Sequence, residues 1–167
     1  MKKILFVCTG NTCRSPLAHA FLEKKANTEK LAIEVKSAGI AAKDGLDVST
    51  NTKEVLKEKK IPFKHKTKKL NKELVAWADL ILAMSFVHKH YIINLYPQAS
   101  SKIFTLKEYI EEDKSKVENK EKSKDSSLEI IDPFGLDLEV YRKCASEIEE
   151  CIMKMLKILK KEGSESN

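Results

Sequence analysis

The stretch that decides the fold is Ile4-Leu5-Phe6-Val7-Cys8-Thr9-Gly10-Asn11-Thr12-Cys13-Arg14-Ser15-Pro16. Its first four residues form a continuous apolar run, which is typical of a strand buried on both faces of a parallel sheet. Ser15 is a good helix N-cap and Pro16 suits the first helical position, so we expect a helix to start there. The stretch therefore predicts a strand, a short loop and a helix.

Apolar runs and helical patterns alternate along the rest of the chain. The predicted strands are Lys3–Val7, Ile33–Ser37, Leu80–Ala83 and Ile103–Thr105. The predicted helices are Pro16–Lys25, Thr50–Lys59, a helix capped by Asn71 that ends near Ala78, Ser85–Leu95, and Leu138–Lys161. This alternation favours an α/β fold with a parallel sheet covered on both faces. Sites in such sheets lie beyond the carboxyl ends of the strands, where Cys8 follows the first strand.

The length of 167 residues suits a single domain, which we expect to span residues 1–160. Within it, Glu111–Glu129 carries seven acidic residues, five lysines and almost nothing apolar. Such a segment buries little surface, so a mobile insert loop is predicted there. Residues 161–167 are expected to form a frayed tail.

Charge and composition restrict the classes of partner. The net charge is +6, but basic and acidic residues are interleaved without a basic block, so we expect no nucleic-acid partner. A mildly positive field attracts a phosphorylated substrate instead. No stretch approaches the roughly 18–20 apolar residues that span a membrane, and the first apolar run is too short for a signal peptide. A cytoplasmic protein with no membrane partner is the expectation.

The loop after the first strand has the residue types of an anion-binding site. A helix start offers unpaired N–H groups and the positive end of a dipole. Gly10 permits unusual backbone angles and Asn11 tolerates the left-handed region, so several N–H groups can turn inward. Arg14 adds a planar fork that matches two phosphate oxygens. These residues predict a loop that encloses a tetrahedral oxyanion.

Cys8 is placed to act as a nucleophile in that loop. A helix N-terminus and a nearby arginine favour the thiolate over the thiol. The Ser15 hydroxyl can donate to the sulfur, and Arg14 with the backbone amides supplies positive charge without a metal or cofactor. Asp132, in the turn Asp132-Pro133-Phe134-Gly135, is the candidate general acid for the leaving group.

These residues together resemble the low-molecular-weight protein-tyrosine phosphatase family. The resemblance covers nearly the whole chain and includes the Cys8–Ser15 loop, Ser37-Ala38-Gly39, His65, the Ala78–Leu82 stretch and Asp132-Pro133. It implies a three-layer sandwich with a four-stranded parallel sheet and helices on both faces. It also implies a phosphorylated protein as substrate and inorganic phosphate as product.

The resemblance also implies a role for each site residue. Cys8 would be the nucleophile that forms a cysteinyl phosphate, Arg14 would bind the phosphate, and Asp132 would be general acid and then general base. Ser37 and His65 would support the loop. The remaining residues of the phosphate-binding loop would be Thr9, Gly10, Asn11, Thr12, Cys13 and Ser15.

Two positions point to a subtype. Thr12 stands where phosphotyrosine-specific members often carry a bulky aliphatic residue, and Phe134 is followed by glycine rather than by a second aromatic residue. This combination resembles the bacterial protein-arginine phosphatase branch. A threonine hydroxyl can accept from a guanidine N–H, whereas an aliphatic side chain cannot. Phosphoarginine is therefore favoured over phosphotyrosine, although Phe134 would also stack on a tyrosine ring.

Two other functions remain as alternatives. An arsenate reductase shares this kind of loop but needs further cysteines, and Cys144 and Cys151 fall on the apolar face of one helix, which favours core packing. A non-catalytic phosphate-binding module is the other alternative. Cys13 could form a reversible disulfide with Cys8 that protects the nucleophile from over-oxidation.

Overall fold

The computed structural model describes residues 1–112 and 128–165, with side chains described for residues 1–111 and 128–162. Eleven elements follow one another in the described residues: β1 (Lys2–Cys8), α1 (Arg14–Thr28), β2 (Ile33–Gly39), α2 (Thr50–Glu58), α3 (Lys72–Trp77), β3 (Leu80–Ala83), α4 (Phe86–Leu95), a 3₁₀ helix (Pro97–Lys102), β4 (Ile103–Thr105), α5 (Leu106–Glu112) and α6 (Leu138–Glu165). Most of the segment predicted as a mobile loop, residues 113–127, lies outside the described residues.

The four strands form one parallel sheet, as predicted, and the structure shows their order to be β2-β1-β3-β4. Strand β1 is central and alternates its side chains between two apolar clusters. Ile4 and Phe6 face the cluster that includes α1 and α6, whereas Leu5 and Val7 face the cluster that includes α3 and α4. The three-layer architecture with helices on both faces is thus confirmed.

The start of α1 differs from the prediction. Helix α1 begins at Arg14 after Cys13, and Ser15 makes no capping hydrogen bond. The Ser15 side chain is instead engaged with residues of the loop and of β2, which local sequence does not reveal. Pro16, the third residue of the helix, is tolerated there because the first four N–H groups of a helix have no partner within the helix.

Two other helices also differ from the sequence-based assignment. Helix α5 was not predicted, because Leu106–Glu112 contains few apolar residues and the charged segment was read as loop from Glu111 onward. Helix α6 continues to Glu165, beyond the predicted end of this helix at Lys161. No helix in residues 1–112 and 128–165 is long and apolar enough to cross a membrane.

Candidate active site

The Cys8–Ser15 loop lies at the middle of the carboxyl edge of the sheet. Strand β1 pairs with β2 on one side and with β3 on the other, so its last residue is surrounded by backbone. The loop forms one wall of a cavity of about 160 Å³, and residues near the start of α6 form the other. The cavity is lined by Cys8, Thr9, Gly10, Thr12, Cys13, Arg14, Asp132 and Phe134.

A larger groove of about 810 Å³ runs along α2 and residues 60–66. Five lysines, an aspartate and apolar side chains line it, but no cysteine or serine does. It offers no thiol or serine hydroxyl to a substrate, and no guanidinium lines it. The smaller cavity is therefore the candidate active site, because it is the one that contains a thiol, a guanidinium and a carboxylate.

The Cys8 sulfur is buried beside the Ser15 hydroxyl, with 2.9 Å between Sγ and Oγ. Asn11 Nδ2 donates to the same Ser15 oxygen at 2.9 Å. The Ser15 hydrogen must then point elsewhere, either at the Cys8 sulfur or at the Ala38 carbonyl oxygen, 3.3 Å away. Ser15 is thus oriented so that it can donate to a thiolate.

Asn11 is fully buried and connects the loop to three other segments. It adopts the left-handed conformation with φ 55°, the region that the sequence led us to expect it to tolerate, whereas Gly10 does not adopt a positive φ. Its Nδ2 donates to Ser15 and, at 3.0 Å, to Ser37 Oγ. Its Oδ1 accepts from the backbone N–H of Lys68 at 2.9 Å. The amide therefore determines the shape of the loop.

His65 contacts the same amide oxygen, with 2.9 Å between Nε2 and Asn11 Oδ1. Since that oxygen only accepts, Nε2 must carry the hydrogen. Burial, and then the neighbouring charge of His19, lower the pKa of His65 to about 4. His65 is consequently a neutral donor at physiological pH, and it holds Asn11 from the side opposite Ser15.

Gly39, at the end of β2, allows the closest backbone approach at the site. A Cβ atom at this position would lie 2.5 Å from the Thr9 carbonyl oxygen and 2.8 Å from the Asn11 nitrogen. The Ala41 N–H also donates to the Thr9 carbonyl at 2.9 Å. Any residue larger than glycine would push the loop away from β2.

Arg14 and Asp132 meet on the far side of the cavity. The Arg14 side chain is buried, and its Nη1 donates to the Ile130 carbonyl at 3.2 Å. Its Nη2 lies 3.1 Å from Asp132 Oδ2. The Ile130 N–H donates to the Met84 carbonyl at the end of β3, which brings the Asp132 turn to the carboxyl edge of the sheet. A buried thiol thus shares one cavity with a guanidinium and a carboxylate.

Comparison with known proteins agrees with this geometry. Residues 3–165 match the family described as low molecular weight phosphotyrosine protein phosphatase. The chain belongs to this family. Its members are phosphatases, and the phosphatase described here contains the cysteine, arginine and aspartate that the resemblance led us to expect.

The phosphatase is similar to relatives that are named for two different substrates. A protein-arginine-phosphatase of Geobacillus stearothermophilus is 42% identical over 96% of this chain and 97% of its own length. The solved arginine phosphatase of that organism superimposes with a TM-score of 0.86, covering 100% of this chain and 98% of that one. A low molecular weight protein-tyrosine-phosphatase of Staphylococcus haemolyticus is 31% identical over 92% of this chain and 96% of its length.

In the phosphatase, Thr12 lies in the wall of the cavity and Phe134 lies at its mouth. The Thr12 carbonyl accepts from Ser49 N–H at 3.0 Å and from the Thr52 hydroxyl at 2.9 Å, so the start of α2 fixes its backbone. Its hydroxyl lies 3.4 Å from the Cys13 sulfur. Phe134 is 72% exposed at the mouth, where its ring is accessible to an incoming side chain.

Cys13 lies deeper and contacts α6. Its sulfur is 3.2 Å from the Tyr141 hydroxyl, and burial together with this thiol raises the pKa of Tyr141 to about 12. Cys144 and Cys151 are buried on the core face of α6, which confirms that they pack in the core. Burial also raises the pKa of Cys144 to about 12, so it remains a protonated thiol.

Sequence reasoning missed two contacts of the loop. The Thr9 hydroxyl lies 2.8 Å from Nε2 of His88, 79 positions away, and the sequence gives no sign of this contact. The contact between the Cys13 sulfur and the Tyr141 hydroxyl also joins distant segments and was not predicted. In the described part of the chain, no group of three His, Cys, Asp or Glu side chains could hold a metal ion.

Proposed function

We propose that this phosphatase removes the phosphoryl group from phosphorylated arginine side chains of proteins, with Cys8, Arg14 and Asp132 as its catalytic residues. One observation carries the proposal: the Cys8 thiol, the Arg14 guanidinium, the Asp132 carboxylate and Thr12 line a single cavity. Its size, about 160 Å³, suits a phosphoryl group and the end of one side chain. The similarity to arginine phosphatases supports the choice of substrate.

In the first step, the Cys8 thiolate attacks phosphorus and the bond from phosphorus to the leaving nitrogen breaks. Asp132, protonated, donates its proton to that nitrogen. Arg14 and the loop N–H groups stabilise the charge on the three phosphoryl oxygens. Positioning and this electrostatic stabilisation supply most of the catalysis of phosphoryl transfer. The product of this step is a phosphate bonded to the Cys8 sulfur and a free arginine side chain.

In the second step, the Asp132 carboxylate takes a proton from water while the water oxygen attacks phosphorus. The bond between sulfur and phosphorus breaks, and inorganic phosphate leaves. The Ser15 hydroxyl, 2.9 Å from Sγ, donates to the departing thiolate and makes it a better leaving group. A solved arginine phosphatase mutant with a phosphorylated active-site serine, 36% identical to this chain with a TM-score of 0.84, supports a covalent intermediate.

The other loop residues hold the phosphoryl group and the shape of the loop. Thr9, Gly10, Thr12 and Cys13 line the cavity with the nucleophile. Asn11, held by Ser37 and His65, fixes the turn that makes this lining possible. We propose that the loop is rigid before the substrate arrives, so that little ordering is needed in the transition state.

Thr12 is the residue proposed to select arginine. A guanidine group brings N–H donors into the cavity, and a donor left without an acceptor costs about 1–3 kcal/mol. The Thr12 hydroxyl supplies an acceptor, since its own hydrogen can turn toward Cys13 Sγ at 3.4 Å. Phe134, exposed at the mouth, stacks on the planar guanidine group.

Phosphotyrosine is the second candidate substrate. The Staphylococcus relatives are protein-tyrosine-phosphatases, and the exposed ring of Phe134 also suits a tyrosine ring. A phenol brings no N–H donor, however, so it makes no use of the Thr12 hydroxyl. The two substrates therefore differ in their dependence on Thr12.

Two peptides of identical sequence, one with phosphoarginine and one with phosphotyrosine, test the proposal. We expect a higher kcat/KM for phosphoarginine, reduced about tenfold or more in Thr12→Ile and largely retained in Thr12→Ser, which keeps the hydroxyl. Hydrolysis of phosphotyrosine should not fall in Thr12→Ile. A preference for phosphotyrosine that the substitution leaves unchanged would refute the arginine specificity.

A further inference from the structure

His88 is a buried histidine whose two ring nitrogens both have partners. It lies on the first turn of α4 and is 3% exposed. Its Nε2 is 2.8 Å from the Thr9 hydroxyl, and its Nδ1 is 2.9 Å from the hydroxyl of Ser85, the N-cap of α4. The ring therefore connects the residue next to Cys8 with the helix that follows β3.

The environment of His88 keeps the ring neutral. Burial, and then the positive charge of Arg14, lower its pKa to about 4, against the opposing influence of Asp132 and Glu129. A neutral imidazole has one donor and one acceptor. It can therefore form one hydrogen bond with each hydroxyl, one as donor and one as acceptor.

Among the described residues, the other hydrogen bond that holds Thr9 is made by its backbone. Its carbonyl oxygen accepts from Ala41 N–H at 2.9 Å, on the side where Gly39 makes its close approach. Its side chain contacts His88, so α4 holds the hydroxyl of Thr9 while residues after β2 hold its carbonyl. Thr9 also lines the cavity beside Cys8, so its placement affects the bound phosphoryl group.

We propose that His88 is a positioning residue, which fixes Thr9 and with it the part of the phosphate-binding loop that adjoins the nucleophile. This inference rests on the proposed function of the Cys8 loop. His88 does not line the cavity, so it acts through Thr9 and not by touching substrate. Loss of the contact between His88 and Thr9 should weaken phosphate binding, while the unfolding temperature should change little.

Two amide substitutions separate the two ends of the ring. In His88→Gln the amide lies three bonds from Cβ, as Nε2 does, so it retains a partner for Thr9. In His88→Asn the amide lies two bonds from Cβ, as Nδ1 does, so it retains a partner for Ser85 alone. Thr9→Val removes the hydrogen bond between Thr9 and His88 by deleting the hydroxyl. Valine has nearly the same shape as threonine, and the position is exposed.

The experiment measures kcat and KM for an aryl phosphate, competitive inhibition by inorganic phosphate, and thermal unfolding of each variant. We expect His88→Asn and Thr9→Val each to raise KM and the inhibition constant of phosphate roughly three- to tenfold, the factor of one neutral hydrogen bond. His88→Gln should stay within about twofold of wild type. The double variant His88→Asn/Thr9→Val should be no worse than either single variant.

Two results would overturn the inference. In the first, both His88→Gln and His88→Asn have the KM and the phosphate inhibition constant of wild type. In the second, both variants lose phosphate binding equally, in proportion to a lowered unfolding temperature. Thr9→Val keeps the test valid if the His88 variants fold poorly. A wild type that hydrolyses the aryl phosphate no faster than Cys8→Ser would instead refute the proposed function itself.

Discussion

Arg14 Nη2 lies 3.1 Å from Asp132 Oδ2, and the arginine is buried whereas about half of the aspartate side chain is exposed. The residue proposed to bind the phosphoryl group is thus paired with the residue proposed to protonate the leaving group. A phosphate dianion is attracted by the guanidinium and repelled by the carboxylate. The pair therefore makes phosphate and Asp132 compete for Arg14.

Replacing the carboxylate with an amide tests this competition. In Asp132→Asn we expect kcat to fall about 10²- to 10⁴-fold, because the general acid is lost. Inhibition by inorganic phosphate should become tighter, because Arg14 no longer pairs with a negative charge. Steady-state kinetics with phosphate as competitor measure both quantities. Glu150→Gln, an exposed site on α6, makes the same change of net charge as a control; tighter binding there as well would contradict the explanation.

Gly39→Ala tests the close approach of the loop to β2. A Cβ at 2.5 Å from the Thr9 carbonyl must displace backbone, so we expect a loss of about 1–3 kcal/mol in the free energy of unfolding and a large fall in kcat/KM. Gly45→Ala is the control, since its φ of 85° brings strain but nothing lies within 4 Å. It should lose stability without losing activity. Full activity in Gly39→Ala would show that the contact is unimportant.

The neutral histidines predict a pH dependence of stability. His65 and His88 have pKa values of about 4 in the folded protein and about 6.5 when unfolded, so the unfolded chain binds more protons between these values. The free energy of unfolding should therefore decrease as pH falls from about 6.5 toward 4, by up to about 1.4 kcal/mol per pH unit for each histidine. Denaturant unfolding at several pH values measures this slope.

The His88→Gln variant checks that the slope comes from a histidine. In this variant, the change in the free energy of unfolding between pH 6.5 and 4 should be smaller than in wild type by the contribution of His88. Equal slopes in wild type and His88→Gln would contradict the prediction.

Cys13 is predicted to protect Cys8 from irreversible oxidation. After mild peroxide, wild type should contain a disulfide between Cys8 and Cys13 and regain activity with a thiol reductant. Cys13→Ala should lose that recovery, whereas Cys144→Ala should retain it, because Cys144 is held in the core. Peptide mapping after thiol blocking identifies the linkage. Recovery of only unpaired thiols at both positions would end the hypothesis.

The sequence predicts the fold where local patterns and tertiary packing agree. Leu80–Ala83 is continuously apolar and is a strand buried at every position, and Asn71 caps α3 as its side chain chemistry suggests. The predicted start of α1 was wrong because the Ser15 hydroxyl contacts the Cys8 sulfur and the Asn11 amide and does not cap the first turn of the helix. A cap preference is a local property and does not include such a contact.

The catalytic residues proposed for the site are predictable from the sequence, but the contacts that hold them are not. The cysteine, the arginine and their spacing follow from one short segment, and Asp132 follows from its turn and from family resemblance. The contact of Thr9 with His88 spans 79 positions, and no spacing or composition indicates it. Gly39 carries no sign in the sequence that it faces the backbone of the loop. Contacts between distant segments are therefore the part that requires the structure.

The covalent intermediate on Cys8 is the central claim, and trapping it tests the claim most directly. The Asp132→Ala variant, mixed with p-nitrophenyl phosphate and quenched within a few turnovers, loses the base of the second step, while the leaving group needs no proton from the first. Mass analysis of the digested protein should find one phosphoryl group on the peptide that contains Cys8, and none on the corresponding peptide of Cys8→Ala/Asp132→Ala. A burst of nitrophenol with the phosphoryl group on another residue, or with Cys8 unmodified, would contradict the account.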